Sequence, residues 1–449
     1  MNYSDSERVA TLLEKLGYDR TKVAEETDLY IFNTCSIRQK GEDRVFGYLK
    51  SIIEWKKRNP RLLVGITGCM VRRTSSKNSE KADQDELIKK LKTLDFVFRI
   101  TEAQKLGELL AEAEPRLEIP ELQEAELTDY LRIEPKYTSS FQAYVPIQIG
   151  CDKYCTYCIV PYSRGREKSR PMEDILTECK ILVENGCKEI TLGGQTVNAY
   201  GKSIFDKQSG KFSINEDPFI TLLKEVDKLK TLGLNRLRFT SPHPSHFTDE
   251  LIELHAKLET LTNHIHLPVQ AGDDAMLKRM NRQYTVEEYR RIWQKIKKAL
   301  PGGSFTTDII VGFCGETDKE FEGTMNLYQE IKWDMSYLAR YSPRRGTTSF
   351  NAWKDDVTRE EKASRWHTMN KVLEKHSISY NESLIAKTLE ILVEKYNEET
   401  GECEGKSREN IVVQFPGKPD MVGQLVESKI TKALKWSLKG ELVKSKIKN

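Results

Sequence analysis

The run Ala143-Tyr144-Val145-Pro146-Ile147-Gln148-Ile149 leads without a break into Gly150-Cys151-Asp152-Lys153-Tyr154-Cys155-Thr156-Tyr157-Cys158. The apolar run reads as a strand and the glycine ends it, so the three cysteines fall in the loop that follows. Soft thiolates at this spacing suit iron–sulfur or zinc. Structural zinc normally closes its shell with four protein ligands, and no fourth Cys or His stands at zinc-like spacing immediately downstream. Three thiolates on a four-iron cluster leave one iron without a protein ligand, which is what a chelating substrate requires. The cluster is the preferred reading and a zinc knuckle the alternative.

Strand-like runs recur after the cysteine loop at 189–192, 236–240, 264–267, 305–312 and 337–341. Helical patterns separate them at 172–184, 218–229, 248–258, 286–299 and 319–331. With the strand at 143–149 this makes six βα units, and it predicts an open, partial (βα)6 TIM barrel. Barrel chemistry sits at the C-terminal ends of the strands, where the cysteine loop falls. A helical stretch at 358–380 closes this domain, which is expected to run over 138–380.

Upstream, residues 1–112 read as a parallel α/β domain. Ser4 and Glu7 stand in capping-box spacing ahead of the periodic Val9, Leu12, Leu13 and Leu16. Strands at 29–32, 62–67 and near 96–100 alternate with helical patterns, which implies parallel pairing. Asn33-Thr34-Cys35 and Gly68-Cys69 each lie just past a strand's C-terminal end. Parallel strands bring those ends to one edge, so Cys35 and Cys69 are expected to converge. The stretch 113–137 is acidic and carries Pro115, Pro120 and Pro135, and reads as a linker. At the other end, 383–446 changes character, with strand-like runs at 389–393, 410–415, 423–429 and 440–443. That is the pattern of a small antiparallel barrel. It ends in Lys429, Lys432, Lys435, Lys439, Lys444, Lys446 and Lys448, with Glu441 the only acid there. This basic run is either a solvated end or a contact for RNA phosphates, and beside a barrel of this size the second is preferred.

With 449 residues the chain exceeds one ordinary core, and a net charge of +3 gives no global basic field. No apolar run approaches the roughly 20 residues of a membrane-spanning helix. The polar start Met1-Asn2-Tyr3-Ser4-Asp5-Ser6-Glu7 resembles neither a signal nor a transit peptide. A cytoplasmic protein without membrane contact is therefore expected. Cytosolic thiols stay reduced, so clustered members of the nine cysteines should be metal ligands or catalytic groups. Cys179 in a helix and Cys187 just beyond it read as buried thiols, and Cys403 as incidental in an acidic turn. His243, His264 and His266 lie at strand ends, suited equally to packing or substrate contact. Arg164, Arg166 and Arg170 either bind phosphate or brace the cysteine loop.

The CxxxCxxC pattern at this place resembles the radical S-adenosylmethionine (SAM) superfamily. The resemblance implies that the open iron of a 4Fe–4S cluster binds SAM, whose reductive cleavage yields a 5′-deoxyadenosyl radical. Gly193-Gly194-Gln195 resembles the loop facing the methionine amino group. Asp308-Ile309-Ile310-Val311-Gly312-Phe313-Cys314-Gly315-Glu316 resembles the strand beside the adenine, with Gly312 and Gly315 as cofactor contacts. The family usually has proline where Cys314 stands, so Cys314 reads as an apolar replacement. Further strings resemble the methylthiotransferases: Cys158-Ile159-Val160-Pro161-Tyr162-Ser163-Arg164-Gly165-Arg166, Gln195-Thr196-Val197-Asn198-Ala199-Tyr200, Ser241-Pro242-His243-Pro244 and His266-Leu267-Pro268-Val269-Gln270-Ala271-Gly272. The domain order matches too, the last domain being the family's TRAM barrel. Asn33-Thr34-Cys35-Ser36-Ile37-Arg38 with Val45-Phe46-Gly47 is similar to the MiaB type.

That resemblance implies methylthiolation at C2 of N6-(dimethylallyl)adenosine at position 37 of tRNA. One SAM would methylate a sulfur on an auxiliary 4Fe–4S cluster, and a second would supply the radical that removes the C2 hydrogen. The implied partners are the tRNA anticodon loop, a reductant such as flavodoxin or ferredoxin, and a sulfur source, with the enzyme a monomer. The alternatives are the same chemistry on a small-subunit ribosomal protein or on threonylcarbamoyl-adenosine, or an inactive RNA-binding iron–sulfur protein. In the family three cysteines hold the auxiliary cluster. Cys35 and Cys69 match the second and third, while the first belongs to a Gly-Cys-Gln-Met-Asn string that would end at Met1-Asn2. The expectation is that Met1 is an internal methionine of a longer protein, with genuine loss or an incomplete gene as alternatives. As given, the first strand and its cysteine are missing and the auxiliary cluster would be poorly held.

Overall fold

A computed structural model describes residues 1–35, 39–71, 93–117, 120, 130–210, 212 and 216–443. The chain forms two compact units. The first comprises Met1–Thr138, Gln148–Arg170 and Arg344–Asn351, and the second Ser139–Ile147, Pro171–Pro343 and Ala352–Asn449.

In the first unit β1 (Leu29–Thr34), β2 (Leu63–Gly68) and β3 (Phe96–Val97) pair in parallel with β2 central. Every residue of β2 is buried, as expected of a parallel strand covered on both faces. On one side Val9, Leu12 and Leu16 of the helix Asn2–Lys15 cluster with Phe96, Phe98 and Leu106. On the other, Val45 and Ile52 of the helix Gln39–Arg58 cluster with Phe32, Val64 and Ile66. The first helix starts at Asn2 without a side-chain cap, so the Ser4–Glu7 pair is not its capping box. Instead Glu7 is buried and accepts from the Thr138 amide and hydroxyl at 2.8 and 2.7 Å. The third strand is shorter than its apolar run, because Arg99 N donates to Glu102 Oε2 at 3.3 Å as a 3₁₀ helix starts at Ile100–Lys105. Residues 121–129 of the linker stretch lie outside the described residues, but Tyr130, Leu131 and Ile133 pack into this unit's core.

The run at 143–149 is not one strand. β4 (Gln142–Pro146) belongs to the second unit, whereas β5 (Gln148–Ile149) pairs antiparallel with β6 (Lys168–Ser169) in the first. The cysteine loop is thus closed by a two-residue ladder.

In the second unit β4, β7 (Glu189–Gly193) and β8 (Arg236–Phe239) form one parallel sheet. A second contains β9 (His264–His266), β10 (Ser304–Val311) and β11 (Met335–Arg340). Leu237 joins them, donating to Thr260 O at 2.8 Å and accepting from Thr262 N at 3.2 Å. Six sequential parallel strands with intervening helices make the expected partial barrel. Among the described residues no pairing links β11 to β4, so it is open. Threonines cap its helices: Thr248, Thr285, Thr317 and Thr358 each accept from an amide three residues on.

The long helix Arg359–Glu382 leads into a closed barrel of β12 (Thr388–Asn397), β13 (Glu402–Ser407), β14 (Val412–Pro416), β15 (Leu425–Ala433) and β16 (Leu438–Leu442). Its pairings are antiparallel except β14 with β16. Cys403 lies in β13, fully buried, and not in a turn. The strand was hidden because its inward residues are Cys403, Gly405 and Ser407, none of which gives an apolar alternation. Arg236 and Arg408 fasten this barrel to the larger one through carbonyls of Glu390, Lys406, Asn235 and Glu259. Among the described residues no helix is long and apolar enough to cross a membrane.

Candidate functional site

The cysteine loop owes its shape to Gly150. Its φ is +81°, and a Cβ there would lie 2.1 Å from the Arg166 carbonyl oxygen, so only glycine lets the two loop ends come together. Cys151 N then donates to Gly165 O at 3.2 Å, and Cys158 N to Cys155 O at 2.9 Å. A one-turn helix at Val160–Ser163 follows. Tyr154 takes a positive φ of 47° between the first two cysteines, an uncommon conformation for an aromatic residue. Cys151 and Cys155 are buried, Cys158 is partly buried, and none of the three is in a disulfide. Burial pushes the Cys158 thiol up, and the charges of Cys155, Cys151 and Cys69 add to this.

The second thiol pair is built by strand register. Thr34 of β1 pairs with Gly68 of β2, so Cys35 and Cys69 leave the sheet side by side, as expected. Thr34 clamps both ends: its carbonyl accepts from Cys69 N at 2.9 Å. Its hydroxyl donates to Thr67 O at 2.6 Å and accepts from Met70 N at 3.2 Å. Gly68 has φ +92°, and a Cβ there would meet Thr34 O at 2.3 Å. Burial holds the Met1 amino group below its ordinary value, and the charges around it are those of Asp5, Arg164, Cys69 and Cys35. Cys69 in turn acts on Cys158, so the two thiol sites neighbour each other within one unit. Ser36, Ile37 and Arg38 lie outside the described residues.

Three thiols in one short loop are a donor set that fits an iron–sulfur cluster. Among the described residues no three His, Cys, Asp or Glu side chains are gathered tightly enough to hold a single metal ion.

Gly193, Gly194 and Gln195 lie at the end of β7 in the second unit. Gly193 O accepts from Ile147 N at 2.8 Å. The Gln195 Oε1 is buried without a hydrogen-bond partner among the described residues, which suits a loop that receives a polar ligand. Gly312 and Gly315 follow β10, both at positive φ. Their amides donate to Glu316 Oε2 at 2.5 Å and Asp356 Oδ1 at 2.7 Å. Gly312 also lies against Lys362, whose Cγ would be 2.2 Å from an added Cβ. Cys314, Cys179 and Cys187 are buried, the last with its thiol pushed up to about 12 by burial.

Partners that the sequence concealed now stand out. His264 Nε2 and His266 Nδ1 share the Thr306 hydroxyl at 3.1 and 3.0 Å, and His266 Nε2 lies 3.3 Å from Asp308 Oδ2. Burial among Arg238 and other cations holds His264 well below the ordinary histidine range. The signal was a shared period of two on adjacent strands, visible only once the register was known. The three arginines after the loop separate by role. Arg166 forms an exposed pair with Asp152 at 2.6 Å, Arg164 is buried against Asp5, and Arg170 is buried. On the small barrel Lys429, Lys432 and Lys435 are exposed, the last paired with Glu374 at 3.0 Å, and Trp436 is 44% exposed. Lys444, Lys446 and Lys448 lie outside the described residues.

Comparison with known proteins places these features. Residues 145–328 match the radical SAM superfamily, 1–89 the uncharacterized protein family UPF0004, and 382–443 the TRAM domain. The tRNA-2-methylthio-N(6)-dimethylallyladenosine synthase of Bacillus mycoides (strain KBAB4) is 40% identical over 449 residues, covering 100% of this chain and 84% of the relative. The synthase of the same name from Bacillus licheniformis is 40% identical over 445 residues, covering 99% and 84%. Among solved structures, the radical S-adenosylmethionine methyltransferase TsrM from Kitasatospora setae, with cobalamin and a 4Fe–4S cluster bound, superposes with a TM-score of 0.53. It is 15% identical and covers 77% of this chain and 73% of that one, a likeness of fold alone. The 40% identity over the whole of this chain and 84% of the relative, with the three matched family models, shows that this chain belongs to the tRNA-2-methylthio-N(6)-dimethylallyladenosine synthase family of radical SAM enzymes.

Proposed function

We propose that this chain is a tRNA methylthiotransferase that modifies C2 of N6-(dimethylallyl)adenosine at position 37, in the anticodon loop. The observation that carries the reading is full-length identity to synthases of that name, in a chain whose two thiol sites neighbour each other in one compact unit. Cys151, Cys155 and Cys158 hold the cluster that works with SAM, and Cys35 and Cys69 contribute to the auxiliary cluster. When bound, the clusters and SAM supply the radical, the methyl group and the sulfur. The chain's own residues shape the loop, keep the thiols out of bulk water and hold the substrates. Gly193, Gly194, Gln195, Gly312 and Gly315 are the SAM contacts of this reading.

A target base has to leave its stack before its ring can react. Lys429, Lys432 and Lys435 offer charge to tRNA phosphates, and Trp436 offers a face on which an unstacked base can rest. The work is divided among residues 1–112, 138–380 and 383–446, with 113–137 between the first two. The enzyme acts as a cytoplasmic monomer fed by a flavodoxin- or ferredoxin-like reductant and a sulfur source. Nucleoside mass spectrometry of tRNA from a deletion strain, with and without this gene, tests the proposal. Return of the methylthio group on dimethylallyl-adenosine is expected. A change confined to another adenosine or to a ribosomal protein would overturn it.

A further inference from the structure

Asp5 and Arg164 form an ion pair whose side chains are 0% and 2% exposed. Desolvation cancels much of the stabilisation that such a buried pair can give, so its placement matters more than its strength. The Arg164 guanidinium also donates to Asn2 Oδ1 at 3.1 Å, and Asp5 accepts from the Tyr130 hydroxyl. Asn2 extends the chain of contacts: its Nδ2 donates to Thr34 O at 2.9 Å, and its carbonyl accepts from Asn33 Nδ2 at 2.7 Å. Thr34 O is the same carbonyl that holds Cys69 N. On the other side, Gly165 next to Arg164 holds Cys151 N, and Ser163 O accepts from Arg99 Nε at 3.3 Å. A path of hydrogen bonds, joined through the covalent Arg164–Gly165 link, therefore runs from the backbone of Cys151 to that of Cys69.

We propose that Asn2, Asp5 and Arg164 are positioning residues that lock the loop of Cys151, Cys155 and Cys158 against the strand ends of Cys35 and Cys69, fixing the separation of the two thiol sites. The proposal rests on the reading of those sites as two cluster sites. A single guanidinium nitrogen, Nη2, donates to both Asp5 and Asn2, while Nη1 is buried without a hydrogen-bond partner among the described residues. Burial keeps water from competing for the Asp5–Arg164 and Asp5–Tyr130 contacts.

The test uses the full-length, reduced, iron-free chain and a short bis-maleimide, with peptide mass spectrometry. It reads the yield of the Cys69–Cys158 cross-link relative to the Cys155–Cys158 link inside the loop. In Asn2→Ala, and in Asp5→Asn/Arg164→Met, which removes both charges of the pair together, this ratio is expected to fall about tenfold. Arg164→Lys should fall between these and the unaltered chain. An unchanged ratio in Asn2→Ala and in the double variant overturns the proposal. Circular dichroism shows whether each variant folds, and if the double variant does not, the half-buried Asn2→Ala decides. Iron and sulfide counts on the reconstituted, unaltered chain judge the cluster reading separately. Absence of iron there would sink that reading and leave the cross-link result standing.

Discussion

The two thiol sites use one local device and differ in how they are assembled. In each, a glycine in the left-handed region stands directly before a cysteine at a strand end, Gly150 before Cys151 and Gly68 before Cys69. In each, a Cβ would strike a carbonyl oxygen across the gap. Beyond that they part. The loop site draws three thiols from eight consecutive residues closed by the β5–β6 ladder, so little chain entropy is lost in gathering them. The strand-end site draws on two strands and depends on Thr34 to tie them. A site made of contiguous sequence carries its own geometry, whereas one made of strand ends inherits it from a whole domain.

The sharpest way to break this comparison is to remove one ligand from each site. Cys155→Ser should abolish both SAM cleavage and the methylthio product, each by about a thousandfold or more, since the radical chemistry belongs to the bound group. Cys69→Ser should abolish the product but leave SAM cleavage within about twofold, as the loop holds its cluster unaided. Parallel assays of deoxyadenosine release and tRNA nucleosides check both. Equal loss of cleavage in the two variants would mean that the sites are not separable.

Next in size, Gly150→Ala and Gly68→Ala should each destabilise the fold by about 2–4 kcal/mol, from backbone strain plus the clash with a carbonyl. Urea unfolding measures this. If Gly68→Ala alone is tolerated, the strand-end loop is free to reshape and the shared device is not shared in function. Thr34→Val is a smaller perturbation, expected at about 1–3 kcal/mol, because it leaves the buried Met70 amide and Thr67 carbonyl without their partner. It should also lower iron retention at the strand-end site while leaving the loop site intact, readable from iron per chain after gel filtration.

The smallest effect is a control on the other cysteines. Cys187, its thiol pushed up to about 12, carries almost no thiolate at pH 8, and Cys179 is fully buried. Neither should react with iodoacetamide in the native protein, with or without iron, while the partly exposed Cys35 should become reactive when a chelator strips the chain. Alkylation mapped by mass spectrometry distinguishes the two classes.

Much of this was legible in the residues. The cysteine spacing needed no fold to be read, and the alternation of strand and helix patterns from 143 to 341 predicted the six-strand barrel. Cys35 and Cys69 were paired correctly across 34 positions because parallel strands put their C-terminal ends at one edge. What misled was local resemblance to a familiar signal. Ser4 and Glu7 had the spacing of a capping box, yet Glu7 serves Thr138. The run at 143–149 had the hydrophobicity of one strand, yet it divides after Ile147 between two units. β13 was invisible because small residues, not large apolar ones, face its core.

The sequence by itself determined which atoms can bind what, because ligand type and short-range spacing are properties of the covalent chain: three thiols in one loop, a glycine before each strand-end cysteine, a basic terminus. Only the tertiary structure decided how distant pieces meet. It chose Arg164 and not Arg166 for burial against Asp5, put Asn2 and Thr34 between two thiol sites, and set His266 beside Asp308. Those choices follow from strand register and from which side chains are shut away from water, and neither is written in any single stretch of the chain.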